Sequence, residues 1–140
     1  MYTNDHNPLS WIRGIEKGNV SIGAGTWIGP FTVIDGEYDK IVIGAGVNVS
    51  SGAQILTHDT VKRCITKREY NMVDHKPTRI GDYVFVGTNA VVLKGCDIGD
   101  HSVIAAGAVV LEDTIAPPHS LLYGVPARIK PLNPENDTVQ

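Results

Sequence analysis

Cysteine is scarce, aromatic residues are few, and no long apolar run occurs. The two cysteines, Cys64 and Cys96, make no disulfide framework and lack the spacing of a zinc knuckle. No stretch approaches the ~18 consecutive apolar residues that span a bilayer, so no membrane insertion is expected. A net charge of -3 offers no cationic surface for nucleic acid. The opening residues, Met1 to His6, carry neither the basic nor the apolar region of a signal peptide. A soluble cytoplasmic protein is the expectation, and 140 residues suit a single domain.

Glycine, by contrast, is plentiful, and Ile and Val recur at a fixed interval. Stepping by six from Ile22 reaches Ile28 and Ile34. A restart at Ile43 reaches Val49 and Ile55. A third run passes unbroken through Ile80, Val86, Val92, Ile98, Ile104 and Val110. Four residues after these positions small side chains dominate: Thr26, Thr32, Ala53, Ala90, Cys96, Ser102 and Ala108. A period of six fits neither a helix nor a hairpin. It fits a coil of three short sides, with the branched residue filling the core and the small residue packed beside it. Three sides close a coil, and neighbouring coils pair as parallel strands. The twelve positions make four coils. The expected organisation is a cap over 1–21, a β-helix over 22–114, a return segment over 115–131 and a disordered tail from about 132 to 140. Periodicity leaves handedness open, although parallel crossovers are normally right-handed.

The repeat breaks twice, briefly around residues 36–40 and at length over 59–78. A rigid scaffold that ejects one long loop usually does so for binding. His58 precedes this loop and His75 lies near its end, so both are expected to face one cleft. Lys62, Arg63, Lys67 and Arg68 lie between them. Phe85, Val91, Val103 and Val109 alternate with core positions and should point outward. Such apolar positions suggest an interface between copies of the chain.

The segment 79–110, from Arg79-Ile-Gly-Asp-Tyr-Val-Phe-Val-Gly-Thr to Ala-Gly-Ala-Val-Val, resembles the hexapeptide-repeat acetyltransferases. So does the ending Tyr-Gly-Val-Pro-Ala-Arg-Ile at 123–129. Galactoside, maltose and polysaccharide-sugar acetyltransferases are the nearest in character, and the resemblance covers about 20–131. It implies an all-β, left-handed parallel β-helix with one long external loop. It also implies a homotrimer with sites between subunits and direct transfer from acetyl-coenzyme A without a metal. The acceptor would be a sugar or a nucleotide-linked sugar, acetylated on oxygen or nitrogen, as in cell-surface polysaccharide (lipopolysaccharide) synthesis.

The resemblance also assigns residues. His58, in Ile-Leu-Thr-His-Asp, takes the place of the general base. Imidazole suits the task, because its ordinary pKa of ~6.5 lies near operating pH. Phe85 stands where the family usually has a Trp against coenzyme A. Thr88 and Ala106 match positions along the pantetheine arm, and Arg128 matches one near the nucleotide phosphates. Glu112 stands where the family often has Lys, which removes a cation from the nucleotide end; Lys130 is the candidate replacement. His75-Lys76-Pro77 partly matches a His-Pro motif of the more distant serine acetyltransferases, which places His75 at the acceptor. Arg63 and the outward Asn48 are further acceptor candidates. His101 and His119 are expected on the surface, Cys96 in the core, and Cys64 without a catalytic role.

Two other readings compete. A γ-type carbonic anhydrase uses such a prism but needs three histidines, two of them spaced His-x4-His. His6, His58, His75, His101 and His119 contain no such pair. A non-catalytic assembly module would need neither a histidine before the loop nor the Gly-Val-Pro-Ala-Arg ending.

Overall fold

The computed structural model describes residues 8–137. His6 and the ends of the expected cap and tail lie outside the described residues. Very short strands follow one another around a three-sided prism. The first coil contains β1 (Trp11–Arg13), β2 (Val20–Ile22) and β3 (Trp27–Ile28). The second contains β4 (Val33–Asp35), β5 (Ile41–Ile43) and β6 (Asn48–Val49). The third opens with β7 (Gln54–Leu56). The long loop interrupts it with β8 (His58–Asp59), the helical turn α1 (Val61–Ile65) and β9 (Asp74–His75). The coil resumes with β10 (Thr78–Ile80) and β11 (Phe85–Val86). The fourth coil is β12 (Val91–Val92), β13 (Asp97–Ile98) and β14 (Val103–Ile104). The fifth is β15 (Val109–Val110), β16 (Ile115–Ala116) and β17 (Ser120–Tyr123). Finally β18 (Arg128–Pro131) returns antiparallel to β17.

Each side of the prism is one parallel sheet. The first stacks β1, β4, β7, β12 and β15; the second β2, β5, β10, β13 and β16; the third β3, β6, β11, β14 and β17, with β18 on its edge. Register explains the six-residue pattern. Ile34, Ile55, Val92 and Val110 form one continuous column, Ile43, Ile80 and Ile98 a second, and Val49, Val86 and Ile104 a third. All of these side chains are buried. The small positions are buried beside them, and their hydroxyls are satisfied locally. Thr26 Oγ1 donates to the Gly44 carbonyl at 2.7 Å, and Thr32 Oγ1 to the Gly29 carbonyl at 2.9 Å.

The prism is longer than the Ile and Val pattern indicates. Ile12 already pairs with Ile34, so a coil begins inside the segment expected to cap the helix. At the other end Ala116 pairs with Ile98, and Leu122 with Ile104. These two buried residues continue the six-residue step beyond Val110. The stack therefore has five coils where the Ile and Val positions account for four. The return confined to 115–131 shrinks to the β18 strand. In the tail, residues 133–137 close a turn in which the Asn133 amide donates to Asp137 Oδ2 at 2.8 Å.

Loop placement follows from the order of the sides. The long loop leaves after β7 on the first sheet and returns before β10 on the second, so it hangs from the corner between those two sheets. Among the described residues, no helix is long and apolar enough to cross a membrane.

Candidate active site

The base of the loop is tied firmly to the prism. Thr57 is fully buried, and its hydroxyl donates to the Asp35 carbonyl at 2.7 Å. Its own carbonyl accepts from the Lys76 amide at 2.9 Å. Immediately beyond, β8 and β9 pair antiparallel, with His58 opposite His75 and Asp59 opposite Asp74. Opposed residues of an antiparallel pair share a face. Both histidines accordingly lean on the corner formed by residues 35–39. His75 Nδ1 lies 2.8 Å from Asp39 Oδ2, and the ring of Tyr38 sits 4.6 Å from that of His58.

His58 Nδ1 faces Asp35 Oδ2 at 3.9 Å. That Nδ1 is shielded from solvent and has no hydrogen-bond partner among the described residues. Asp35 is buried and rigidly held: Arg13 donates to its Oδ2 at 3.2 Å and the Glu37 amide to its Oδ1 at 3.1 Å. A fixed carboxylate beside Nδ1 favours a proton on that nitrogen and leaves Nε2 available as an acceptor. No motif in the sequence links Asp35 to His58, because Asp35 stands one coil earlier.

On the opposite face lies a second charged group. Lys94 is buried; its Nζ bonds Asp59 Oδ2 at 2.5 Å and also bonds Glu112. Burial alone would pull the Lys94 ammonium down, but the hydrogen bonds it donates to Asp59 and Glu112 outweigh it and hold the pKa above the usual lysine value. The Lys94 hydrogen bond in turn holds the Asp59 carboxyl below its ordinary range. Lys94 and Glu112 are 18 residues apart, one full uninterrupted coil, so the spacing itself carried this contact. Glu112 was expected at the nucleotide end of a coenzyme site. Here it joins the cleft at His58, which also contains Asp59, Asp74, Leu93 and Lys94 in about 520 Å³.

The remaining candidates lie elsewhere in the chain. Phe85 pairs with Asn48 on one side and Val103 on the other, all on the third sheet. Asn48 thus neighbours the coenzyme candidates and not His58. Thr88 and Ala106 sit on successive coils at the corner between the third and first sheets, where the Gly107 amide donates to the Thr88 carbonyl at 2.8 Å. Phe85, Thr88, Ala106, Arg128 and Lys130 do not line the His58 cleft. Lys130 is engaged with Asp137 at 3.4 Å and lies over the Tyr123 ring. Phe85, Val91, Val103 and Val109 are half-buried, so the apolar outward columns are less open than the alternation suggests. His101 and His119 are exposed and stack at 5.1 Å on the remaining corner. Among the described residues, no three His, Cys, Asp or Glu side chains cluster in a way that would hold a metal.

A five-coil prism with a histidine at the root of its one long loop defines a class. Residues 77–112 match the family of bacterial transferase hexapeptide proteins (six repeats). The chain is 32% identical to a hexapeptide-repeat-containing acetyltransferase from Vibrio cholerae O1 biovar eltor, solved in complex with acetyl-coenzyme A. That likeness covers 91% of this chain and 67% of that one, with a TM-score of 0.74. A second structure, of the Vibrio cholerae acetyltransferase, gives 30% identity over 89% and 70% of the two chains, with a TM-score of 0.71. A maltose O-acetyltransferase from Clostridium difficile superposes with a TM-score of 0.76 at 26% identity, covering 91% and 65%. The carnitine operon protein CaiE of Citrobacter koseri is 33% identical over 117 residues, 81% of this chain and 58% of that protein. The chain thus spans less than two thirds of that relative's length. It belongs to the hexapeptide-repeat acetyltransferase family, and its fold is the left-handed parallel β-helix of hexapeptide repeats.

Proposed function

We propose that this chain transfers an acetyl group from acetyl-coenzyme A to a sugar or a nucleotide-linked sugar, with His58 as general base. The observation that carries this reading is the environment of His58. It stands at the root of the loop, beside a cleft, with Nδ1 turned toward the fixed carboxylate of Asp35. Nε2 then takes the proton from the acceptor hydroxyl or amine as that group attacks the thioester carbonyl. Asp35 stabilises the imidazolium that forms. The proton passes from His58 to the departing thiolate, which restores the neutral ring and leaves coenzyme A as the free thiol.

The coenzyme is assigned to Phe85, Thr88, Ala106 and Arg128, and the acceptor to His75 and Asn48. In a single chain His75 pairs opposite His58, whereas Asn48 and the coenzyme residues lie away from that corner. A site that joins them draws on two neighbouring subunits, which supports a homotrimer. The half-buried columns of Phe85 with Val103 and Val91 with Val109 suit the contact. An acetyl-coenzyme A-dependent reaction on sugars accords with a cytoplasmic step in polysaccharide synthesis. The Vibrio cholerae relative in complex with acetyl-coenzyme A and the maltose O-acetyltransferase support the donor and the acceptor class.

The test follows thiol release from acetyl-coenzyme A against a panel of sugars and sugar nucleotides. Turnover should fall at least ~100-fold in His58→Ala. Turnover that survives would move the base elsewhere. An absence of both thiol release and coenzyme binding would reject the transferase reading.

A further inference from the structure

The chain has 12 lysines and arginines, and six of them form ion pairs among the described residues: Arg13, Lys17, Lys76, Arg79, Lys94 and Lys130. Four of the other six fall within one short stretch of the loop. Lys62 lies over the ring of Tyr70. Arg63, Lys67 and Arg68 have no carboxylate partner among the described residues. These three, with Thr60 and Cys64, surround a hollow of about 430 Å³. Like charges gathered around a concavity repel one another, and a concave wall focuses their field.

The local fold produces this concentration. Positions 60, 63, 64 and 67 recur at helical spacing and present one face of the α1 turn. Val61, Lys62 and Ile65, on its other face, line the cleft at His58. The chain then doubles back. The Arg68 amide donates to the Arg63 carbonyl at 2.9 Å, through Lys67 and Arg68 at φ 52° and 68°. Two long cationic side chains thus occupy left-handed positions where a smaller residue is easier to place. The Nε of Arg63 is withdrawn from water without a hydrogen-bond acceptor among the described residues, a deficit that oxygens of a bound anion would relieve.

We infer that Arg63, Lys67 and Arg68 form a binding site for the phosphate groups of a ligand. A planar guanidinium fork and two flanking cations match phosphate oxygens in charge and geometry. In its acceptor form, the inference rests on the transferase reading: a nucleotide-linked sugar would seat its phosphates here, with its reactive group across α1 at His58. The same chemistry is offered by the phosphates of coenzyme A bound from a neighbouring subunit.

Calorimetry with inorganic pyrophosphate tests the site without any turnover. The wild type should bind it, and Arg63→Ala and the Lys67→Ala/Arg68→Ala double variant should each weaken binding by about tenfold or more. Absent binding, or binding unchanged in both variants, overturns the inference. Circular dichroism and Arg63→Lys, which keeps the charge, separate a lost site from a lost fold. Kinetic constants then identify the source. A KM raised for the nucleotide-linked sugar but not for the free sugar assigns the site to the acceptor. A KM raised for acetyl-coenzyme A with the free sugar as acceptor assigns it to the coenzyme. Pyrophosphate binding without transferase activity would uphold the site and reject the reaction.

Discussion

His58 Nδ1 and Asp35 Oδ2 face each other at 3.9 Å, across the gap between the second and third coils. That separation exceeds a hydrogen bond, but the carboxylate is immobilised by Arg13 and the Glu37 amide. Catalytic contacts of this kind often tighten once substrate is bound. Replacing Asp35 with Asn keeps the shape and removes the charge. We expect kcat to fall roughly 10- to 100-fold, as for lost orientation of a base, with KM for acetyl-coenzyme A unchanged. Wild-type kcat in Asp35→Asn would reject the orienting role.

Lys94→Met should destabilise the chain, with a loss that depends on pH. Asp59 has its pKa lowered from 3.8, chiefly by the Lys94 hydrogen bond. A lowered carboxyl contributes stability above its unfolded value, and that contribution is lost as pH falls through the folded one. The Lys94 contribution persists until pH rises through its own raised value, well above neutrality. The gap between wild type and variant should therefore be wide at pH 7 and narrow as pH falls below 3.8 through the lowered value of Asp59. Denaturant midpoints at several pH values measure it, and a gap independent of pH would contradict the account.

The two cysteines should separate cleanly. Burial pushes the Cys96 thiol up to about 11, while Cys64 is exposed. Only a thiolate reacts quickly. A chromogenic disulfide reagent should titrate one thiol per native chain and the second only on unfolding. Two fast thiols would mean that the core is open at Cys96.

Gly87→Ala should be far more damaging than Gly107→Ala. A Cβ on Gly87 would lie 2.4 Å from the Ala106 nitrogen and 2.7 Å from the Ala105 carbonyl carbon. Both are backbone atoms of the next coil, so the coils must separate. Gly107 has open space but a φ of +70°, which costs an L-residue about 1–2 kcal/mol. We expect a large loss of thermal stability for the first and a small one for the second. The first should also raise KM for acetyl-coenzyme A, because Ala106 moves. Equal midpoints would argue against coil contact at Gly87.

Core truncation gives a reference for these effects. Ile55 is fully buried between Ile34 and Val92. Ile55→Ala should cost ~2–5 kcal/mol, read from denaturant unfolding at fixed protein concentration.

The sequence by itself determined the prism. A branched residue every six positions leaves three short sides as the economical way to bury all of them, and Ile80 to Val110 repeats this without a break. It also located the loop and its histidine, since an interrupted repeat is visible as a gap. The pattern faded at the ends for a physical reason. Ala116 and Leu122 fill their layers as well as Ile or Val, so burial continues where the residue type changes. Ile12 is separated from Ile22 by a bend that hides the step. Contacts between coils were decided by tertiary structure. The two breaks shift the register, the short one between Asp35 and His58 and the long one between Asp59 and Lys94, so both pairs meet at separations that no fixed period supplies. Where the coil is uninterrupted, as from Lys94 to Glu112, the partner does lie 18 residues away. The concentration of unpaired cations in the loop is the clearest case. Their proximity in sequence was plain, but their lack of partners and their shared hollow depend on which carboxylates the folded coils bring within reach.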